Sequence, residues 1–79
     1  MLEATQKALA EVFRAVLQLE DGANVQGVRQ INQPSWDSLA HVSLMAAIES
    51  EFNLAIDTAD SMDLTSFEAV ALYLEERGL

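Results

Sequence analysis

The sequence predicts a small all-α fold, a four-helix bundle with three main amphipathic helices, a short third helix and a long first loop. Three observations support this prediction. The chain has 79 residues, which is the size of one small domain. Apolar residues recur every three or four positions in three segments, and no segment alternates as a half-buried strand does. We therefore expect a single domain over residues 1–79, with its helices packed around one core.

The first predicted helix covers about Glu3 to Leu19. Its apolar positions follow the i, i+3, i+4, i+7, i+8 spacing that places side chains on one helical face. These positions are Leu9, Val12, Phe13, Val16 and Leu17. Asp21-Gly22 follows, and glycine readily adopts the left-handed conformation that often terminates a helix. We expect the helix to end just before this dipeptide.

A long connection follows, from Glu20 to about Asp37. Its length exceeds that of the usual loop between two packed helices, so something must hold it in place. Three apolar side chains are spaced along it, namely Val25, Val28 and Ile31. We expect all three to pack against the core.

The second predicted helix runs from Ser38 to about Phe52. Asp37 precedes it and is of the residue type that caps helix N-termini, where a carboxylate accepts hydrogen bonds from first-turn amides. A broad apolar stripe is expected to face the core. Its members are Leu39, Val42, Met45, Ala46, Ile48 and Phe52.

Two further helices are predicted in the C-terminal third. Residues 57–63 are polar and permit only one or two turns, which predicts a short third helix. The last helix opens at Thr65, with Glu68 three residues later in the pattern of a capping box. Gly78 is expected to end it.

Composition narrows the function. The formal net charge is −9, with thirteen acidic residues against four basic ones, and no lysine or arginine lies between Arg29 and Arg77. Such a surface repels nucleic acid and anionic lipid and favours proteins with basic docking patches. The alternative is that the acidic residues only keep a small, apolar-rich domain in solution. There is no cysteine and only one histidine, so we expect no metal site. No apolar run reaches the length of a membrane span and no signal peptide is evident, which predicts a cytoplasmic protein.

The segment from Trp36 to Leu74 resembles the acyl carrier proteins. The tripeptide Asp37-Ser38-Leu39 opens a predicted helix, and Glu49 with Glu51-Phe52 comes near its end. Ile56 follows, and Asp63-Leu64-Thr65 then opens a helix that contains Tyr73. The resemblance covers about half of the chain and implies a four-helix bundle of the acyl-carrier type.

The resemblance implies that Ser38 is the attachment site of a 4'-phosphopantetheine arm, transferred from coenzyme A by a phosphopantetheinyl transferase. Asp37 then assists the transferase and its Mg²⁺, and Leu39 lies next to the arm. No catalytic residue is implied, so we do not expect an enzyme. The alternative is that Asp37 and Ser38 only cap a helix, because both residue types are favoured there.

The resemblance also implies a surface that binds acyl-loading and acyl-processing enzymes. The residues concerned are Leu39, Val42, Met45, Glu49 and Ile56. Leu39 and Val42 are expected to pack partly in the core as well, and for Met45 a plain core position is an equal alternative. Ile56, Ala59 and Tyr73 are expected to line a gap between the second and third helices that can accept an attached chain, or simply to fill the core.

The chain also departs from the family pattern. Fatty-acid-synthesis carriers usually bear acids where this chain has Ala40 and Ser43, and His41 adds a possible cation beside them. We therefore expect a monomeric carrier for a specialised lipid, polyketide or secondary-metabolite pathway. A peptidyl or aminoacyl carrier and an unmodified acidic helical interaction module remain the alternatives. A hydrolase triad of Asp37, Ser38 and His41 is disfavoured, because one helix supplies no oxyanion hole.

Overall fold

A computed structural model describes all residues, 1–79, and shows four helices without a strand. The helices are α1 (Glu3–Leu17), α2 (Ser38–Phe52), α3 (Thr58–Asp63) and α4 (Phe67–Glu75). Two 3₁₀ turns, Val25–Gly27 and Gln30–Asn32, lie in the first loop. The prediction of a small all-helical bundle is confirmed. None of the helices reaches the length and apolarity that crossing a membrane requires.

The end of α1 was predicted two residues too late. The helix stops at Leu17, because Gln18 adopts a left-handed conformation with φ 52°. The amides of Gln18 and Leu19 both donate to the carbonyl of Arg14, which satisfies the last turn. Gly22 also has a positive φ, but it lies in the turn beyond and does not terminate the helix.

The first loop is held by the start of α4. The amide of Phe67 donates to the carbonyl of Val28 at 2.9 Å, and the amide of Gln30 donates to the carbonyl of Thr65 at 2.9 Å. Val25 and Val28 are buried, as predicted. The prediction for Ile31 was wrong, since its side chain is 84% exposed. The paired backbone directs Val28 inward, whereas Ile31 lies in the 3₁₀ turn that follows on the outer side.

Helix α2 begins and ends where the sequence predicts. Asp37 Oδ1 accepts a hydrogen bond from the Ala40 amide at 2.8 Å, and Asn53 ends the helix in a left-handed conformation. The buried positions are Leu44, Met45 and Ile48. Leu39 and Val42 were expected to share in the core, but they are 77% and 67% exposed. The predicted stripe was therefore too broad, because Leu39, Val42 and Ala46 are exposed, and Leu44, which the stripe omitted, is buried.

Helix α3 forms as predicted, with Asp57 accepting from the Asp60 amide at 2.8 Å. The cap of α4 is Ser66, which accepts from the Ala69 amide at 3.0 Å. The predicted capping box of Thr65 and Glu68 is wrong. Thr65 uses its carbonyl to pair with the first loop, so the helix begins one residue later than the pattern suggested.

The core joins α1, α2 and α4, and aromatic contacts link α1 to α4 and to the segment before α2. Phe13 of α1 packs edge-to-face against Trp36 and Phe67, with ring centroids 5.5 Å and 5.0 Å apart. The side chains buried most completely are Leu9, Phe13, Leu17, Leu44, Ile48, Val70 and Leu74. Because Trp36 lies two residues before Ser38, the core reaches directly under the start of α2.

Candidate functional site

Ser38 is exposed at the first position of α2, and its hydroxyl makes no hydrogen bond with the rest of the chain. The amides of Ser38 and Leu39 also have no partner in the chain, since Asp37 accepts only from Ala40 and His41. Unpaired amides at a helix N-terminus create a partial positive charge. The serine therefore stands where a phosphate would be accommodated.

The segment before Ser38 is fixed at several points. Ser35 Oγ donates to the carbonyl of Leu17 at 2.8 Å, which ties the segment to the end of α1. Gln33 Nε2 donates to Ser35 Oγ at 2.9 Å, and the Trp36 amide donates to the Gln33 carbonyl at 2.9 Å. Trp36 itself is 2% exposed. The exposed Ser38 thus follows a segment that hydrogen bonds hold against the end of α1.

His41 connects this segment to α3. Trp36 Nε1 donates to His41 Nδ1 at 3.0 Å, and His41 Nε2 lies 2.9 Å from the carbonyl oxygen of Ser61. An indole N–H can only donate and a carbonyl can only accept. The geometry therefore assigns the neutral imidazole with its proton on Nε2. The two rings also stack, with centroids 5.9 Å apart.

The same contacts test two roles considered for His41, a member of a hydrolase triad and a cation beside Ala40 and Ser43. Its ring nitrogens are occupied by Trp36 and Ser61, and it makes no hydrogen bond with Ser38. The serine–histidine contact of a hydrolase triad is therefore not formed. The possible cation at this position is instead a hydrogen-bonded bridge between Trp36 and Ser61.

Beside Ser38, α2 exposes apolar surface. Leu39 and Val42 lie three residues apart, so they share one face of the helix, and both are largely exposed. Met62 of α3, which follows the residue contacting His41, is exposed as well. Acidic side chains occur close to these residues in the chain, at Asp37 and Asp63. The site thus combines exposed apolar side chains with negative charge.

Three other predicted partner-binding residues have structural roles. Met45 is 7% exposed and belongs to the core, so it offers little surface to a partner. Glu49 Oε2 accepts from the Ile56 amide at 2.7 Å, which fixes the connection between α2 and α3. Ile56 is half-buried against the core. The structure therefore brings Leu39 and Val42, but not Met45, to the surface next to Ser38.

A polar cluster joins α3 to α4. Tyr73 Oη donates to Asp60 Oδ2 at 3.3 Å, and Arg77 Nη2 lies 3.7 Å from the same oxygen. The Arg77 guanidinium also stands 3.4 Å from the centre of the Tyr73 ring. Burial raises the pKa of Tyr73 above its ordinary value of 10.0, and Asp60 raises it further while Arg77 opposes the shift.

The expected gap between α2 and α3 is not an open cavity. Tyr73 is buried, Ile56 is half-buried and Ala59 is exposed, and none of the three lines any cavity of the molecule. The five cavities of the molecule are lined by α1, the first loop and the start and outer face of α4. The largest, about 510 Å³, lies beside Arg29 and Ile31.

Sequence reasoning missed Trp36 and Ser61 as parts of this site. A lone tryptophan directly before the Asp37-Ser38 pair was the available signal for Trp36, because large aromatic residues in loops are usually anchors. Ser61 places its backbone carbonyl 2.9 Å and its Oγ 3.4 Å from His41 Nε2, and no sequence signal indicates the shorter, backbone contact.

No protein-family model matches the chain, and no curated protein matches it.

Proposed function

We propose that this protein is an acyl carrier of the four-helix type, which holds acyl groups as thioesters on a 4'-phosphopantetheine arm attached to Ser38. The observation that carries the proposal is the placement of Ser38. Its hydroxyl is exposed, has no partner in the chain, and stands at a helix start with two unpaired amides. The Asp37-Ser38-Leu39 sequence is the one that the resemblance to carrier proteins leads us to expect there.

Attachment requires a nucleophile that a second enzyme can reach. The Ser38 oxygen would form a bond to the phosphorus nearer the pantetheine, the bond from that phosphorus to the adenosine bisphosphate leaving group would break, and the serine proton would pass to the transferase. The amides of Ser38 and Leu39 would then face a permanent anion, which the helix N-terminus favours. Asp37 uses Oδ1 to cap the helix, and its other oxygen remains available to the transferase.

When bound, the arm supplies a terminal thiol that activates an acyl group as a thioester and carries it between enzymes on a flexible tether. The protein itself supplies a rigid base for that tether. Ser35 and Trp36 anchor the segment before the attachment point, so the root of the arm is held in one orientation.

Partner enzymes would meet an acidic, partly apolar surface. Nine acidic residues and no lysine or arginine lie between Arg29 and Arg77. Leu39 and Val42 provide exposed apolar side chains next to Ser38. Enzymes with basic docking patches would be steered by charge and released quickly, which suits a shuttle. Ala40 and Ser43 replace acids of fatty-acid-synthesis carriers, which supports a specialised lipid, polyketide or secondary-metabolite pathway.

Intact-mass measurement after incubation with coenzyme A and a broad-specificity phosphopantetheinyl transferase tests this proposal. We expect the mass of one arm to be added to the wild-type protein and to Ser43→Ala, and none to Ser38→Ala. Ser43 is a matched control because it is also an exposed serine of α2. Arm transfer to Ser38→Ala, or none to the wild-type protein, would overturn the proposal.

The exposure of Leu39, Val42 and Met62 also favours a second candidate, an unmodified acidic interaction module. Failure of arm transfer together with binding of a basic protein through Leu39 would support it. A peptidyl or aminoacyl carrier would accept the same arm, and the mass of the group on the arm distinguishes it from an acyl carrier.

A further inference from the structure

His41 lies where three parts of the molecule meet. It belongs to the first turn of α2, its Nδ1 accepts from Trp36 in the segment before Ser38, and its Nε2 donates to Ser61 in α3. Both nitrogens of one rigid ring are therefore used, one on each side. A displacement of Ser61 cannot leave the imidazole in place without breaking or bending one of these two bonds.

Helix α3 is suited to move. It has six residues and none of them is buried, so little apolar surface holds it against the core. Besides the His41–Ser61 bond, its side-chain ties to the bundle run through Asp60, which contacts Tyr73 and Arg77. Such an element opens at lower free energy than the core helices.

The second hydrogen bond of His41, to Trp36, lies close to the proposed attachment point at Ser38. Trp36 is two residues before Ser38, and its ring is held between Phe13 of α1 and the His41 ring. Asp37, between Trp36 and Ser38, caps α2. A shift of the indole therefore changes the backbone that leads into the first turn.

We propose that His41 is a positioning residue that couples α3 to the segment Trp36-Asp37-Ser38, so that displacement of α3 changes how Ser38 is presented. The coupling itself is independent of what Ser38 carries. Its consequence for loading depends on the function proposed above.

A double-mutant cycle measures this coupling. Asp60→Ala removes the contacts of α3 with Tyr73 and Arg77 and so loosens the helix. His41→Asn keeps an oxygen at the position of Nδ1 for Trp36 and loses the bond to Ser61. His41→Gln keeps a donor at the position of Nε2 for Ser61 and loses the bond to Trp36. Asp63→Ala is the matched control, because Asp63 is an exposed acid of α3 whose side chain forms no hydrogen bond or ion pair.

The first readout is the fluorescence of Trp36, the single tryptophan of the chain. We expect Asp60→Ala to shift its emission when His41 is present, and to cause no further shift in His41→Asn or in His41→Gln. Asp63→Ala should leave the emission unchanged. Far-ultraviolet circular dichroism of each variant checks that the helices form. If one of the two His41 variants does not fold, the double-mutant cycle is completed with the other.

The second readout is kcat/KM for transfer of the arm to Ser38. Allosteric couplings commonly amount to at least fivefold, so we expect Asp60→Ala to change this value by about fivefold with His41 and not without it. Equal effects of Asp60→Ala with and without His41, or no effect on Trp36 emission in the wild-type background, would overturn the coupling. Coupled emission with no arm transfer to Ser38 would instead overturn the proposed function and leave the coupling standing.

Discussion

The two halves of α2 differ in what they contribute. The first half, taken as residues 38–43, presents Ser38, Leu39 and Val42 to solvent, whereas the second half, residues 44–52, buries Leu44 and Ile48 in the core. One helix thus combines an accessible surface with a packing surface. The difference teaches that an apolar residue of α2 cannot be assigned to the core by its type alone, because its place along the helix and the face on which it lies both decide whether it is covered.

The boundary between the halves has a structural cause. The first turn of α2 is flanked by α3, which is short and has no buried residue, so nothing covers Leu39 and Val42. The buried side chains of α2 begin at Leu44, and α1 is the helix that packs most extensively against α2. The stability of the helix should therefore depend on its second half and partner binding on its first.

The largest expected effect is on stability, from Ile48→Ala. Ile48 is fully buried, so its truncation removes apolar contacts and leaves a cavity. We expect a loss of about 2–5 kcal/mol in the free energy of unfolding, measured by urea denaturation. A loss below about 1 kcal/mol would show that the second half of α2 is not the packing surface.

Leu39→Ala should have the opposite effect, with little change in stability and a large change in arm transfer. We expect the free energy of unfolding to stay within about 0.5 kcal/mol of the wild-type value, because the side chain is mostly exposed. Arm transfer to Ser38 should fall about tenfold in kcat/KM, equivalent to about 1.4 kcal/mol of lost contact with the transferase. Leu72→Ala, an exposed leucine on α4, is the control and should leave transfer unchanged. Equal transfer by Leu39→Ala and the wild-type protein would remove Leu39 from the partner surface.

Asp37 tests whether the exposed half also contributes to stability. Asp37→Ala removes the hydrogen bond to the Ala40 amide, and we expect a loss of about 1 kcal/mol in the free energy of unfolding. Asp37→Asn should retain most of that stability, because asparagine also caps helices, while arm transfer should fall with the lost charge. Full transfer by Asp37→Asn would show that the carboxylate only caps the helix.

The smallest expected effect is on the pH dependence of stability, and it concerns α3. This helix contacts the first half of α2 through His41 and is tied to α4 by Tyr73. The pKa of Tyr73 is raised because burial disfavours the phenolate. The neutral phenol is thus the form the fold prefers, so its stabilising contribution is complete below pH 10.0 and is lost as the pH rises through the folded-state pKa. Absorbance of the single tyrosine should titrate above its ordinary range, and Tyr73→Phe should lose less stability at alkaline pH. Titration at or below the ordinary value would contradict the assignment.

The features that the sequence predicted correctly depend on local chemistry. The bounds of α2 follow from Asp37 as a cap and from the apolar run that begins at Leu39. Serine at position 38 could be placed at the helix start for the same reason. Local chemistry was ambiguous for α4, because Thr65 and Ser66 both carry capping hydroxyls and only the pairing of Thr65 with Gln30 selects Ser66.

The features that could not be predicted depend on distant contacts. Ile31 is exposed because Phe67 of α4, which lies outside the loop, pairs with Val28 and fixes the loop. The link from His41 to Ser61 spans 20 residues and uses a backbone carbonyl that has no sequence signal. Helical periodicity does not show which side of α2 remains uncovered, and this is why Leu39 and Val42 were placed partly in the core.

The most direct test of the central claim is the mass of the peptide that contains Ser38, taken from protein isolated from the cells that naturally make it. The account predicts a phosphopantetheine phosphodiester on Ser38, bare or with an acyl group, and no modification of Ser43. A Ser38 that is always unmodified in those cells, while other carriers of the same cells are loaded, would contradict it.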